Sequence, residues 1–216
     1  MARPDLIHVR AVPGGYQLTG ESAWVTGWGL VDVLLVGAVD DRGLLHVFMM
    51  DATGSESLVA TDSNLLAVQA SRTVSLRFAD HFVPADRLGH TQPLDTFVAS
   101  QVGGTVMNGF LALGVAGRCA RLLGDASDLE ADIADARLRL LTASPEEVPE
   151  ARANSSLLAA RAAARLMVHT GSRSVLADQH AGRLYRESGF LLVFGLRPAI
   201  RQEMLRRLSM PAIAPV

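Results

Sequence analysis

The 216-residue chain carries 22 acidic and 20 basic side chains, a formal charge of −2 and an isoelectric point near 6.3. That balance supplies no electrostatic reason to expect nucleic acid or an acidic membrane surface as a partner. A lone Cys119 excludes an internal disulfide and a multi-cysteine metal site, and MARPDLIHVR at the N-terminus lacks the apolar core of a secretion signal, so a cytoplasmic location is expected.

From Gly15 to Val83 short runs of alternating or β-branched apolar residues follow one another: YQLTG, VDVLLVGAV, LLHVFMM and TVSLRF. Each is bounded by turn chemistry such as PGG, DDRG or ATGS, which predicts an antiparallel sheet or small barrel. DDRG is the clearest hairpin connection, with Gly43 free to take a positive φ.

After HFVPADRLGH the period changes, and Pro84 breaks the last strand. Asp95 or Thr96 is placed to cap a helix through FVASQVGGTVMNGFLALGVAGRCARLL, and SDLEADIADARLRLL predicts a second. A third runs through SPEEVPEARANSSLLAARAAARLMVHTG, with Ser144 as N-cap and Gly171 closing it. The fourth covers ADQHAGRLYRESGFLLVFG, after which Pro198 forces a kink or restart. The fold class is therefore α+β: an antiparallel β domain over residues 1–90, then an all-α four-helix bundle over 91–216. Every apolar run is broken by Gly, Arg or Asn short of the roughly 18 residues of a spanning helix, so no membrane span is expected. LLAARAAARLMV and GFLLVFG offer more apolar surface than four helices cover, which predicts a homodimer or homotetramer.

Both tryptophans of the chain, Trp24 and Trp28, flank Thr26 and Gly27 in AWVTGWG. GGYQLTGESAWVTGWGLVDVLLVGAV, followed by SRTVSLRFADHFVPADRLG, resembles the middle β domain of the acyl-CoA dehydrogenase superfamily and the entry to its C-terminal helical domain. The resemblance implies a flavin-dependent oxidoreductase that binds FAD and acts on an acyl thioester. It places the Thr26 hydroxyl near flavin N5 and packs Trp24 against the isoalloxazine ring, a flat wall and a hydrogen-bonding group that together orient the cofactor. Trp28 has no family role and reads as a packing residue.

The family pattern also breaks in three places. Its N-terminal helical domain and first β strands have no counterpart before Gly14. RLYRESGFLLVFGLRPAIRQEML lies without gaps on the last helix pair, matching Arg183, Arg186 and Glu187, but Phe194 falls on the tyrosine, Gly195 on the glutamate that removes the α-proton, and Leu196 on the following glycine. A glycine accepts no proton, so no catalytic residue is assigned; Glu187 and Glu203 are the available substitutes, Glu187 lying two turns away and Glu203 beyond Pro198. Finally, Asn108 stands where an arginine helps hold CoA, the R..FG flavin loop is missing after RLLGDAS, and GG.G reads GSRS. Two readings stay open: an incomplete or atypical flavin oxidoreductase, or a non-catalytic homologue that needs a partner chain to complete a flavin site.

Other signals are weak. His8, His46, His81, His90, His169 and His180 lack metal-ligand spacing and read as surface or edge residues, so no metal is expected. The glycines of GGTVMNGFLALGVAG read as helix-packing positions and Met107 as a core residue.

Overall fold

A computed structural model describes residues 6–100 and 102–209. The chain divides into two compact units, Met1–Ser100 and Gln101–Val216.

The first unit is a seven-stranded sheet of β1 (His8–Val12), β2 (Gly15–Val25), β3 (Val33–Val39), β4 (Leu44–Asp51), β5 (Leu58–Asp62), β6 (Val74–Pro84) and β7 (Leu88–Pro93), in the order β5-β6-β2-β1-β3-β4-β7. All pairings are antiparallel except β1 with β3, which meet in parallel at His8 and Val39. Alternation puts Leu34, Val36 and Ala38 of β3 inside with Phe48 and Met50 of β4, while Leu35 and Met49 stay exposed. The sheet does not end near Val83. LGHTQP has no apolar alternation, yet it pairs with β4 as the edge strand β7. A short helix α1 (Leu94–Ser100) closes the unit, with Asp95 in its first turn.

DDRG makes the expected hairpin, and Gly43 takes φ +78°. Asp40 organises it, accepting bonds from the Leu44 N–H (2.9 Å), the Arg42 N–H (3.0 Å) and the His46 ring (3.2 Å). Burial pushes this carboxyl up, but bonds from Leu44, His46 and Arg42 outweigh it and hold the carboxyl at about 2. His46 is buried between Asp40 and the Thr91 hydroxyl (3.0 Å), correcting its reading as an edge residue. A buried imidazole is stable there because both nitrogens have partners. Asp40→Ala is expected to cost about 1–2 kcal/mol in urea unfolding at pH 7. Because the folded carboxyl titrates below its ordinary value, this contribution is present above pH 3.8 and is lost as pH falls through about 2. The gap between wild type and variant closes over that range, and a constant gap contradicts the argument.

The helical unit holds α2 (Val102–Leu123), α3 (Ser127–Thr142), α4 (Val148–Thr170), α5 (His180–Val193) and α6 (Pro198–Ser209). The first expected helix is divided between α1 and α2, with Asp95 inside the first turn of α1 and not capping it; α3 to α5 match the other three, and Pro198 starts the additional α6 at a position where its missing N–H costs nothing. Ser144 does not cap α4. It sits in the preceding turn, where its N–H meets Glu147 Oε2 at 2.9 Å, and Glu147 is the N-cap. Gly171 closes α4 at φ +71°.

Ala112, Ala116 and Cys119 of α2 pack with Leu158, Ala162 and Leu166 of α4 and with Leu184 and Leu191 of α5. Small side chains permit this close approach. At Gly109 a Cβ would stand 2.7 Å from Leu140, whereas Gly114 faces open space. Met107 is 64% exposed and not a core residue. LLAARAAARLMV is spent largely inside its own bundle, leaving Val168 as its main exposed apolar side chain. By length and composition alone, the stretch Leu94–Leu123 is apolar enough to cross a membrane, against the expectation from its broken runs. Ala112, Ala116 and Ala120 of α2 are buried in the bundle, and 29% of the apolar window is buried.

Candidate functional site

AWVTGWG lies where β2 runs out. Ser22 pairs with Leu76 and Val25 with Val74, so Ala23 and Trp24 together oppose one residue of β6, a β-bulge. Trp24 absorbs the extra residue with φ +65° and stands 69% exposed. A left-handed backbone at a bulky residue costs on the order of 1–3 kcal/mol, and such strain concentrates at binding sites. Two residues on, Thr26 Oγ1 meets Thr73 Oγ1 at 3.1 Å, and Thr73 Oγ1 meets Ser71 Oγ at 2.7 Å. The Gly27 N–H donates to the Ser71 carbonyl (2.8 Å) and the Trp28 N–H to the Arg72 carbonyl (3.2 Å), pinning the bend to the start of β6. Trp28 packs against the sheet core, as a packing residue should.

The bend thus carries an exposed Trp24 and, two residues on, an exposed Thr26 whose hydroxyl is backed by two others. Ser71 and Thr73 carry no motif of their own. The only sign in the sequence is a pair of hydroxyls two residues apart just before the apolar alternation of β6.

In the helical unit, Gly195 occupies the turn between α5 and α6 with φ +62°, and a Cβ built there would collide with the Asn108 amide nitrogen. The two positions to which the resemblance assigns a glutamate and an arginine are therefore in contact, and neither is charged. Phe194 stacks on Phe190 with ring centroids 4.8 Å apart. The substitute acids are engaged elsewhere. Glu187 accepts from Arg183 at 2.6 Å. Glu203 binds Arg206 (2.7 Å) and Arg207, and the Arg206 bond leads the interactions that hold its carboxyl at about 2, against burial.

The buried thiol of Cys119 is pushed up to about 11 by burial and by Glu187, so it is not a nucleophile. Among the described residues no group of three His, Cys, Asp or Glu is placed to hold a metal.

No family model and no curated protein matches the sequence. Solved structures do. An acyl-CoA dehydrogenase from Geobacillus kaustophilus superposes with a TM-score of 0.77 at 15% identity, over 95% of this chain and 64% of that one. Butyryl-CoA dehydrogenase from Megasphaera elsdenii gives 0.76 at 17% identity, over 94% of this chain and 63% of that one. The fold is that of the acyl-CoA dehydrogenases. A glutaryl-CoA dehydrogenase from Mycobacterium smegmatis, solved in complex with FADH2, matches at 0.71 and 16% identity over 94% of this chain and 61% of that one. The chain spans 61–64% of the length of these three acyl-CoA dehydrogenases. Its sheet unit matches their middle domain and its helical unit their C-terminal domain.

Proposed function

We propose that the chain is a cytoplasmic, flavin-binding homologue of the acyl-CoA dehydrogenases that lacks its own base for α-proton removal. The observation that carries the reading is Trp24, a strained and exposed tryptophan two residues before Thr26. The β2–β6 bulge calls for an extra residue at this point but not for a large ring. The donor set fits a flavin: the indole offers a flat apolar wall, and the hydroxyl can donate to or accept from a ring nitrogen. FAD, when bound, supplies the hydride-accepting ring; the residues of this chain orient it.

Gly195 and Asn108 favour a non-catalytic or partner-dependent role over thioester dehydrogenation by this chain alone, since neither removes a proton or neutralises a CoA phosphate. A visible absorbance titration of the purified chain with FAD tests the reading. Weak but saturable binding is expected, and Thr26→Val should weaken it about fivefold, the worth of one hydrogen bond. Trp24→Gly should weaken it further while leaving folding stability unchanged or raised by up to about 1 kcal/mol, because glycine relieves the backbone strain. A Trp24→Gly variant that unfolds more easily and binds FAD normally makes the tryptophan structural and defeats the reading.

Exposed Val168, Val193 and Phe194 on the helical unit favour self-association. A dimer or tetramer is expected by light scattering at micromolar concentration, and a monomer contradicts it.

A further inference from the structure

We infer that Ser71 and Thr73 are positioning residues that let Thr26 serve a ligand atom which accepts a hydrogen bond in one redox state and donates one in the other. The inference rests on the flavin reading, since the N5 atom of a flavin ring changes in this way on reduction. Ser71, Thr73 and Thr26 form one chain of hydroxyls, joined at 2.7 and 3.1 Å. Each hydroxyl has a single proton to give. Run from Ser71 towards Thr26, the chain leaves Thr26 its proton for an acceptor. Run the other way, Thr26 gives its proton to Thr73 and presents only lone pairs to a donor. The number of internal bonds is the same in both directions, so neither state of the ligand leaves a hydroxyl of the chain unpaired.

Thr73 is the hinge of this arrangement. It is only 8% exposed, so its hydroxyl depends on Ser71 and Thr26 for partners. The chain is also held in place from outside. The short turn Gln69–Ser71 is bracketed by Val68 at φ +55° and Arg72 at φ +48°, and the backbone bonds from Gly27 and Trp28 tie Thr26 to it. Two non-glycine residues in the left-handed region at one three-residue turn mark a backbone bent to place what lies between them.

The test measures the affinity of the full chain for oxidised and for dithionite-reduced FAD in wild type, Thr26→Val, Thr73→Val, Thr73→Ser and Ser71→Ala. It also records the three-bond couplings of the Thr26 side chain without ligand. Thr73→Val should change the ratio of the two affinities about five- to tenfold. A tenfold change moves the two-electron midpoint of the bound flavin by about 30 mV. Thr73→Ser restores the wild-type ratio because it restores the hydroxyl. Ser71→Ala gives a smaller change in the same direction. In the ligand-free chain Thr26 should hold one rotamer in wild type and Thr73→Ser, and average over several in Thr73→Val. If wild type binds FAD and Thr26→Val weakens it, but Thr73→Val leaves both the ratio and the Thr26 rotamer unchanged, this inference falls and the flavin reading stands. If wild type binds no FAD, both fall.

Discussion

Replacing Arg152 by methionine should remove about 2–4 kcal/mol of unfolding free energy. Arg152 sits in α4 at 1% exposure with no ion pair to a carboxylate among the described residues, and burial pushes its guanidinium down to about 10, still charged at neutral pH. Its Nη2 donates to the carbonyls of Leu191 (3.1 Å) and Phe194 (3.2 Å), and its Nη1 to the Ser156 hydroxyl, which itself donates to Leu191 at 3.0 Å. These carbonyls end α5, where the last turn has no intrahelical donors and the helix dipole is negative. A buried cation without a counter-ion is costly in itself, so an apolar replacement of similar volume recovers some desolvation energy. The loss still wins, because methionine leaves the Leu191 and Phe194 carbonyls and the Ser156 hydroxyl without their charged donor. Arg152→Lys keeps the charge but not the planar fork and should cost about half as much. Urea unfolding of the three proteins decides it, and a loss under about 1 kcal/mol for the methionine variant contradicts the argument.

Gly195→Glu should restore the family's carboxylate and still yield no detectable reduction of bound FAD by a saturated acyl-CoA. The backbone at φ +62° disfavours any side chain, at about 1–2 kcal/mol, so a glutamate is held only by distorting the turn between α5 and α6. Asn108 adds a collision, but its amide is the far end of a flexible side chain and swings away at small cost. The backbone sign therefore decides the outcome. Adding Asn108→Ala to Gly195→Glu should recover only a few tenths of a kcal/mol, within the range where contacting sites fail to add. Proton abstraction needs the carboxylate placed within about 3 Å of the substrate's α-carbon proton, which a distorted turn does not provide. Robust bleaching of bound FAD by an acyl-CoA, in wild type or variant, contradicts this account.

What local chemistry dictates was legible along the chain. The DDRG hairpin, the strands on either side of it, α3 and the closing Gly171 follow from alternation, helical period and glycine at positive φ, all of which need only near neighbours in sequence. The AWVTGWG bend stood out by its two rings. The strands β1, β5 and β7 did not, because each becomes a strand by pairing with a partner that supplies the register.

The tertiary structure alone decided the rest. Thr73 reaches Thr26 across 47 positions, Asn108 meets Gly195 from another helix, and His46 is buried only because β7 brings Thr91 to its second nitrogen. A polar side chain has no burial written in its own residue type; it goes inside when a distant strand or helix arrives with the partner that satisfies it. The left-handed backbone of Trp24 has the same origin, since it is the pairing of β2 with β6 that leaves one residue too many at the bend.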